Sequence, residues 1–251
     1  MSREKLTAIV TTFNEEENIA ECLATLSFAD EILVVDSFST DRTADIARSV
    51  PNVRLLQHEY GGNGPQCNWA MERAAHPWIL IVDADERVPP ALAREIEVLL
   101  QGPHADTYFL RRENLFLRRP IRHSGWGGDR LVRLLRKGAA RYPEQRVHAD
   151  IQTRGETPTL ASPLAHHTLR SLPQYLEKLH RYAEWGAQDL KARGRRAGMA
   201  EVALRPAWRF LRMYVFQGGF LDGAPGLVVC ALQAYGVFLK WAILWESRQE
   251  R

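Results

Sequence analysis

Short apolar runs alternate with stretches of helical spacing through the first hundred residues. LTAIVTTF (Leu6 to Phe13) is a β-branched apolar run that suits a strand buried on both faces. It stops at Asn14. Asn14 and Glu17, three residues on, form a candidate capping pair before the helically spaced NIAECLATL. EILVVDS (Glu31 to Ser37) reads as a second buried strand. Ser39, Thr40 and Asp41 offer caps for a helix over DRTADIARSV, and VRLLQHE reads as a third, weaker strand. YGGNGPQ (Tyr60 to Gln66) is turn-rich and reads as a loop before a helix over CNWAMERAA. WILIVDADE (Trp78 to Glu86) is a fourth strand, and Pro89-Pro90 start the helix ALAREIEVLL.

This alternation predicts an α/β fold with a doubly wound, mostly parallel sheet, in which ligands sit beyond the carboxyl ends of the strands. Asn14, Asp36, Asp83 and Asp85 all fall at such ends. Beyond residue 105 the pattern changes. TYFLRRENLFL and DRLVRLLRKG read as arginine-bearing strands, residues 141–170 are loop-rich, and LPQYLEKLHRYAEWGAQDLKAR is helical. The tail from Ala203 to Trp245 is rich in leucine and aromatics. The pattern divides the chain into an alternating α/β part over 1–104, a mixed part over 105–170 and a helical extension over 171–251.

With 251 residues, 45% of them hydrophobic and 25% charged, the chain has ordinary globular usage and length enough to bury a core without staples. That excludes a disordered, collagen-like or polytopic membrane protein. The net charge of +3 hides an asymmetry: residues 1–100 carry 8 basic and 17 acidic side chains, and residues 101–251 carry 25 and 13. An acidic half suits cations and a basic half suits anions. Cys22, Cys67 and Cys230 are far apart with no CxxC, which predicts a reducing compartment and neither a disulfide framework nor a zinc site. The start, MSREKLTAIV, lacks an apolar stretch of signal-peptide length.

The strongest chemical feature is Asp83-Ala84-Asp85-Glu86 after the apolar WILIV. In an extended chain positions i and i+2 share a side, so Asp83 and Asp85 are expected to project together. Paired carboxylates of this kind suit Mg²⁺ or a similar hard cation, which takes one or two of them plus substrate phosphates; a solvated strand-end turn is the structural alternative. Asp36, ending ILVVD, is either a helix cap or a carboxylate that receives a nucleotide base. Trp126, among the glycines of SGWGG, is either a core indole or an apolar platform for a sugar ring. The arginines at 111, 112, 118, 119 and 122 form either a solvated face or an anion-binding one. No nucleic-acid-binding motif accompanies them, so a nucleic-acid partner is not expected.

As a set, TTFNEEENI, VVDSFSTDRT, GPQCNWAMERA and WILIVDADERV resemble the glycosyltransferase family 2 pattern. GWGGDRLVRLLRKG, RVHAD and FLRMYVFQGGFLDGAPG further resemble the subgroup that extends the lipopolysaccharide core, near the β-1,4-glucosyltransferases. The resemblance implies a GT-A fold, a nucleotide-sugar donor (a UDP-sugar foremost), a divalent metal (Mg²⁺ or Mn²⁺) and inversion at the anomeric carbon. It implies that Thr12, Asn14 and Glu16 line the nucleotide, that Asp36 meets the uracil or ribose, and that Gln66 and Asn68 lie in a loop closing over the diphosphate. It makes Asp83 the nucleotide-side acid of the DxD and Asp85 the metal ligand. One departure stands out: Ala149 follows His148 where relatives carry Glu.

Transfer from such a donor develops charge on the leaving phosphate, which Arg130 and Arg133 are candidates to stabilise. The acceptor hydroxyl needs a general base. Asp129 is the first candidate, His148 the second and Glu144 the third. The rival functions are a haloacid-dehalogenase-like phosphohydrolase, in which Asp83 would be a nucleophile, and a non-catalytic sugar-nucleotide-binding scaffold. Residues 223–239 hold no charge, the lower edge of a spanning length, yet Pro225 and Gly226 are expected to break their start. Arg205, Arg209 and Arg212 share one helical face among aromatics, which predicts peripheral attachment to the cytoplasmic face of the plasma membrane; the resemblance implies a lipid-linked saccharide as acceptor.

Overall fold

The structure is a computed structural model that describes residues 3–143, 151–169 and 172–247. They form two compact units. The first joins residues 1–112 to 129–166, and the second joins 113–128 to 167–251. Each is therefore discontinuous in sequence.

The first unit starts with a parallel set: β1 (Leu6–Thr12), β2 (Glu31–Asp36), β3 (Val53–Gln57) and β4 (Trp78–Asp83), in the order β3-β2-β1-β4. The β-branched runs alternate between two cores. Leu6, Ala8, Val10, Val34, Leu80 and Val82 pack on one face of the sheet, beneath α1 (Ile19–Ala24), α2 (Thr43–Ser49) and α4 (Pro90–Leu99). Ile9, Leu33, Val35, Ile79 and Ile81 pack on the other, beneath α3 (Asn63–Arg73). Both faces are covered, which is why these strands read as unbroken apolar runs.

β5 (Glu86–Arg87), β6 (Thr107–Phe116), β8 (Arg130–Arg136) and β11 (Leu164–Leu169) extend the sheet in the order β4-β8-β6-β11-β5. β8 pairs antiparallel with β4 and β6, and β5 antiparallel with β11. β7 (Arg119–Pro120) pairs with the end of β6, and β9 (Ala140–Arg141) with β10 (Gln152–Thr153).

The second unit is chiefly helical. α5 (Leu172–Ala192), α6 (Met199–Leu211) and α7 (Gly223–Glu246) pack together, with a π-helical turn at Arg212–Phe216 and a 3₁₀ turn at Gly219–Asp222. Phe116, Ile121, Tyr175, Met213, Val229 and Cys230 form one core, and Ala187, Ala197, Trp241 and Leu244 another. Two glycines allow close approach here. A Cβ on Gly127 would lie 1.8 Å from the Arg122 carbonyl oxygen, and one on Gly226 would lie 2.0 Å from that of Gly219.

Four local expectations change. The first helix begins at Ile19 with Asn18 at its N-cap; Asn14 instead takes a left-handed φ of 53° and turns its side chain to the next loop. The third helix starts at Asn63, so Gln66 and Asn68 lie on a helix and not in a loop. The fourth strand ends at Asp83, and Ala84-Asp85 form a turn before β5, so the extended-chain argument for Asp83 and Asp85 fails. Pro225 and Gly226 do not break a helix. They occupy the first turn of α7, where proline's missing N–H has no intrahelical acceptor to lose.

Candidate active site

Parallel register brings the carboxyl ends of three strands together. Thr12 pairs with Asp36 across β1 and β2, and Thr11 with Asp83 across β1 and β4. Asp36 is fully buried, and its carboxylate accepts the Ser39 N–H at 3.1 Å, the Ser39 hydroxyl and the Gln57 amide at 3.1 Å. It thereby shapes the loop that leads to α2. That loop is also tied to the end of β1. Asn14 donates its N–H to Ser39 Oγ (2.9 Å) and accepts the Thr40 N–H (2.8 Å), while Glu16 accepts from the Arg42 backbone N–H at 3.1 Å. Asp41 accepts the Thr43 N–H at the entrance of α2. The Thr12 hydroxyl is buried at this edge without a hydrogen-bond partner. A buried, unpaired hydroxyl costs free energy that a bound polar ligand can recover.

Gln66 and Asn68 face inward from α3. Gln66 contacts His58 Nδ1 at 2.7 Å and donates to Ser37 Oγ at 3.1 Å, beside the Asp36 loop. Asn68 has both ends of its amide engaged by Tyr142: Nδ2 donates to its carbonyl (2.8 Å) and Oδ1 accepts its N–H (3.0 Å).

The acidic turn after β4 divides its carboxylates. Asp83 accepts from Arg133 and also takes a longer contact with Arg112 at 3.9 Å. Glu86 is fully buried. It accepts the Asp83 N–H at 2.8 Å and pairs with Arg133 and Arg112, both at 3.2 Å. Burial pushes the Glu86 carboxyl up, against the pull of Arg133 and Arg112, and the two acids hold the Arg133 guanidinium well above its usual range. Arg133 is thus committed inside the protein. Arg130 is exposed, with its guanidinium 4.8 Å from the centre of the Phe109 ring.

Asp85 turns elsewhere: its Oδ2 lies 3.2 Å from His166 Nε2. The pairing of β5 with β11, which sets His166 opposite Glu86, creates this contact across 81 residues. Asp129, just before β8, is held by Arg112, whose Nε and Nη2 donate to Oδ2 at 2.9 and 2.8 Å. The other carboxylate oxygen, Oδ1, accepts no hydrogen bond among the described residues.

Asp85, on the turn before β5, and His166, on the neighbouring β11, offer an oxygen and a nitrogen donor side by side. Among the described residues no three His, Cys, Asp or Glu side chains converge on one point. The pair nonetheless fits a Mg²⁺- or Mn²⁺-type ion, which takes few protein ligands and completes its shell with substrate phosphate and water.

Several candidates fall elsewhere. Trp126 belongs to the second unit, half-buried against that unit's core, with its carbonyl accepting the Asn114 amide at 2.8 Å. His148 and Glu144 lie outside the described residues. His166 was not legible from sequence: it sits in LAHHTL, a segment with no spacing relation to the acidic turn. Arg112 was visible only as one member of an arginine cluster.

The family model for glycosyl transferase family 2 matches residues 7–154. The lipopolysaccharide core biosynthesis glycosyltransferase LpsC of Rhizobium meliloti (strain 1021) is 27% identical over 263 residues, spanning 95% of this chain and 93% of that protein. An uncharacterized glycosyltransferase of Rickettsia felis is 26% identical, spanning 97% and 90%. The crystal structure of residues 1–349 of TarS from S. aureus, in complex with UDP, superposes over 98% of this chain and 92% of that one with a TM-score of 0.50 at 17% identity. The mixed, mostly parallel sheet with its helical C-terminal region is a GT-A-like α/β fold.

Proposed function

The chain belongs to glycosyl transferase family 2, and on that premise we propose that it is an inverting enzyme that moves a sugar, glucose foremost, from a UDP-sugar to a lipid-linked saccharide such as lipopolysaccharide core. Membership of the family removes the phosphohydrolase rival. The observation that carries the proposal is the single carboxyl edge at which Thr12, Asp36 and the Asp83–Glu86 turn meet, with His166 beside Asp85. The relationship to LpsC over nearly the whole of both chains supports the acceptor class.

The roles follow from position. The Asp36 loop, with Thr12, Asn14, Glu16 and Gln66, receives the nucleoside. Asp85 and His166 would hold a Mg²⁺ or Mn²⁺ ion, whose chemistry at such a pair is neutralisation of the leaving diphosphate. Asp83 and Glu86, locked to Arg133, keep the turn in place. Arg112 holds Asp129 so that its uncommitted oxygen takes the proton of the acceptor hydroxyl as the new bond forms. The acceptor oxygen bonds to the anomeric carbon from the face opposite the breaking bond to UDP, which leaves as the diphosphate, and the anomeric carbon is inverted. A panel of UDP-, GDP- and ADP-sugars with a lipid-linked saccharide, followed by mass spectrometry, tests the reading. Metal-dependent release of UDP is expected, and no nucleotide release from any donor would sink it.

The nucleotide role has its own measurement. Asp36→Ala should weaken UDP binding by roughly 10- to 150-fold, the cost of a lost hydrogen bond of about 1.5–3 kcal/mol. Unchanged UDP affinity by calorimetry would confine Asp36 to shaping the loop before α2.

The C-terminal helices support peripheral membrane attachment at the cytoplasmic face. The run from Gly219 to Glu246 is long and apolar enough to cross a bilayer by length and composition, and only 28% of its apolar window is buried. α5 nevertheless lies along it, with Gly236 against Leu179 and Gly186 against Lys240. α5 also carries Glu177, Lys178, Arg181, Glu184, Asp189 and Lys191, which would have to enter hydrocarbon or detach if α7 spanned. Exposed Leu204, Trp208, Leu211 and Phe216 suit shallow burial instead. Isolated membranes should therefore release the protein into high salt or carbonate, and retention through both washes with extraction only by detergent would establish a spanning α7.

A further inference from the structure

α6 and α7 line an open cavity of about 500 Å³ whose wall carries four cations, Arg205, Arg209, Arg212 and Lys240, together with Trp208 and Trp241. The only acid in the wall is Glu201, whose carboxylate accepts the Gly198 N–H at 3.0 Å and caps α6. Glu201 sits one turn before Arg205 and offsets one charge, so three positive charges remain uncompensated. Among the described residues no carboxylate comes within ion-pairing distance of any of the four.

Arg205 and Arg212 are exposed, while Arg209 and Lys240 are half-buried, and three of the four are held by contacts within the protein. The Arg205 guanidinium stacks 4.4 Å from the Trp241 ring centre. Arg209 donates one nitrogen to Gln233 at 3.3 Å, and its Nε is buried with no partner. The stem of Lys240 runs against Gly186, where a Cβ would stand 2.7 Å from its Cδ. Their present environment disfavours charge: burial and the neighbouring Arg209 and Arg205 hold the Lys240 ammonium below its usual range, and burial with Arg212 does the same to Arg209. An anion in the cavity opposes these effects by favouring the charged forms. At the rim, Leu204 and Trp208 are 67% and 57% exposed, so a fitting ligand presents apolar surface beside its anionic group.

We propose that this cavity is a binding site for the phosphate ester of an anionic lipid headgroup. The inference rests on the reading of the C-terminal helices as membrane-facing, and sugar transfer is not needed for it.

The test uses the full-length chain and sedimentation with vesicles of phosphatidylcholine alone, of phosphatidylcholine with phosphatidic acid, and of phosphatidylcholine with a sulfated lipid at equal surface charge. The parent protein should bind the phosphatidic acid vesicles most tightly. Arg209→Gln/Arg212→Gln should lose roughly 30-fold of that affinity, from about fivefold per basic residue near the surface. It should keep its weaker binding to neutral vesicles. Arg205→Gln/Arg212→Gln, which spares the Arg209–Gln233 bond, should behave alike, with a parental melting temperature. Arg193→Gln/Arg195→Gln, which removes the same charge outside the cavity, should change affinity by only a fewfold. Equal losses in cavity and control variants would reduce the site to diffuse surface charge and overturn the proposal. So would cavity variants that bind vesicles normally but no longer respond to inorganic phosphate in thermal shift, which would mark a site for the free anion only. Failure of the parent to bind any vesicle would instead remove the membrane reading itself.

Discussion

Asp85→Asn should lower sugar transfer on the order of 10³-fold or more while the protein melts near its normal temperature. The side chain stands on the turn between β4 and β5, outside both cores, with its Oδ2 3.2 Å from His166. Asparagine preserves its size and removes the charge that a divalent cation needs. Stability therefore has little to lose and chemistry nearly everything. The companion change His166→Gln should weaken metal affinity about 10- to 100-fold and be partly restored by excess Mn²⁺. Near-normal turnover of Asp85→Asn in excess EDTA would remove the metal role from this turn. A loss of activity that tracks a collapsed melting temperature would make Asp85 a structural residue.

Asp129→Asn should cut turnover by roughly 10²–10⁴-fold with donor affinity little changed, the size expected for removal of a general base. Arg112 makes this carboxylate suitable and also limits it. Its two bonds to Oδ2 fix the group, while Oδ1 accepts none among the described residues. Arg112 is itself held by Glu86 at 3.2 Å, and the neighbouring acids raise its own pKa against the effect of burial, so it stays charged through the working pH range. Asparagine can still meet Arg112 through its amide oxygen but cannot take a proton. A burst of nucleotide binding without turnover is the expected signature. An active Asp129→Asn alongside an inactive His148→Ala would move the base to His148.

Several features of the site were legible in the sequence because they are local. The apolar runs leading to Asn14, Asp36 and Asp83 predict buried strands, and β1, β2 and β4 lie there, parallel and covered on both faces. Pro89-Pro90 opened α4 as expected, with Pro89 as N-cap and Pro90 in the first turn. Turns and caps were harder. Whether the helix starts at Asn14 or Asn18 changes few local interactions, and the loop before α2 decides it by engaging Asn14 from 26 residues away. The start of α3 was missed for a related reason: Asn63-Gly64-Pro65 has turn composition, yet a helix N-terminus needs no N–H from Pro65, and Gly64 packs against Tyr142 with a prospective Cβ at 3.0 Å.

What the sequence by itself determined is the order of elements and the chemistry at the ends of strands, because hydrophobic period and carboxylate position are written within a few consecutive residues. Only the tertiary structure decided which of those groups act together. His166 reaches Asp85 because β5 and β11 pair, Arg133 reaches Asp83 and Glu86 because β8 lies beside β4, and Arg112 reaches Asp129 because β6 lies beside β8. The same holds for the cationic cavity. The 4-and-3 spacing of Arg205, Arg209 and Arg212 places them on one face, but Lys240 and Trp241 join them only when α7 packs on α6. Such pairings join residues tens of positions apart. Their register is set by how two apolar surfaces fill space against each other, and no single segment contains that information.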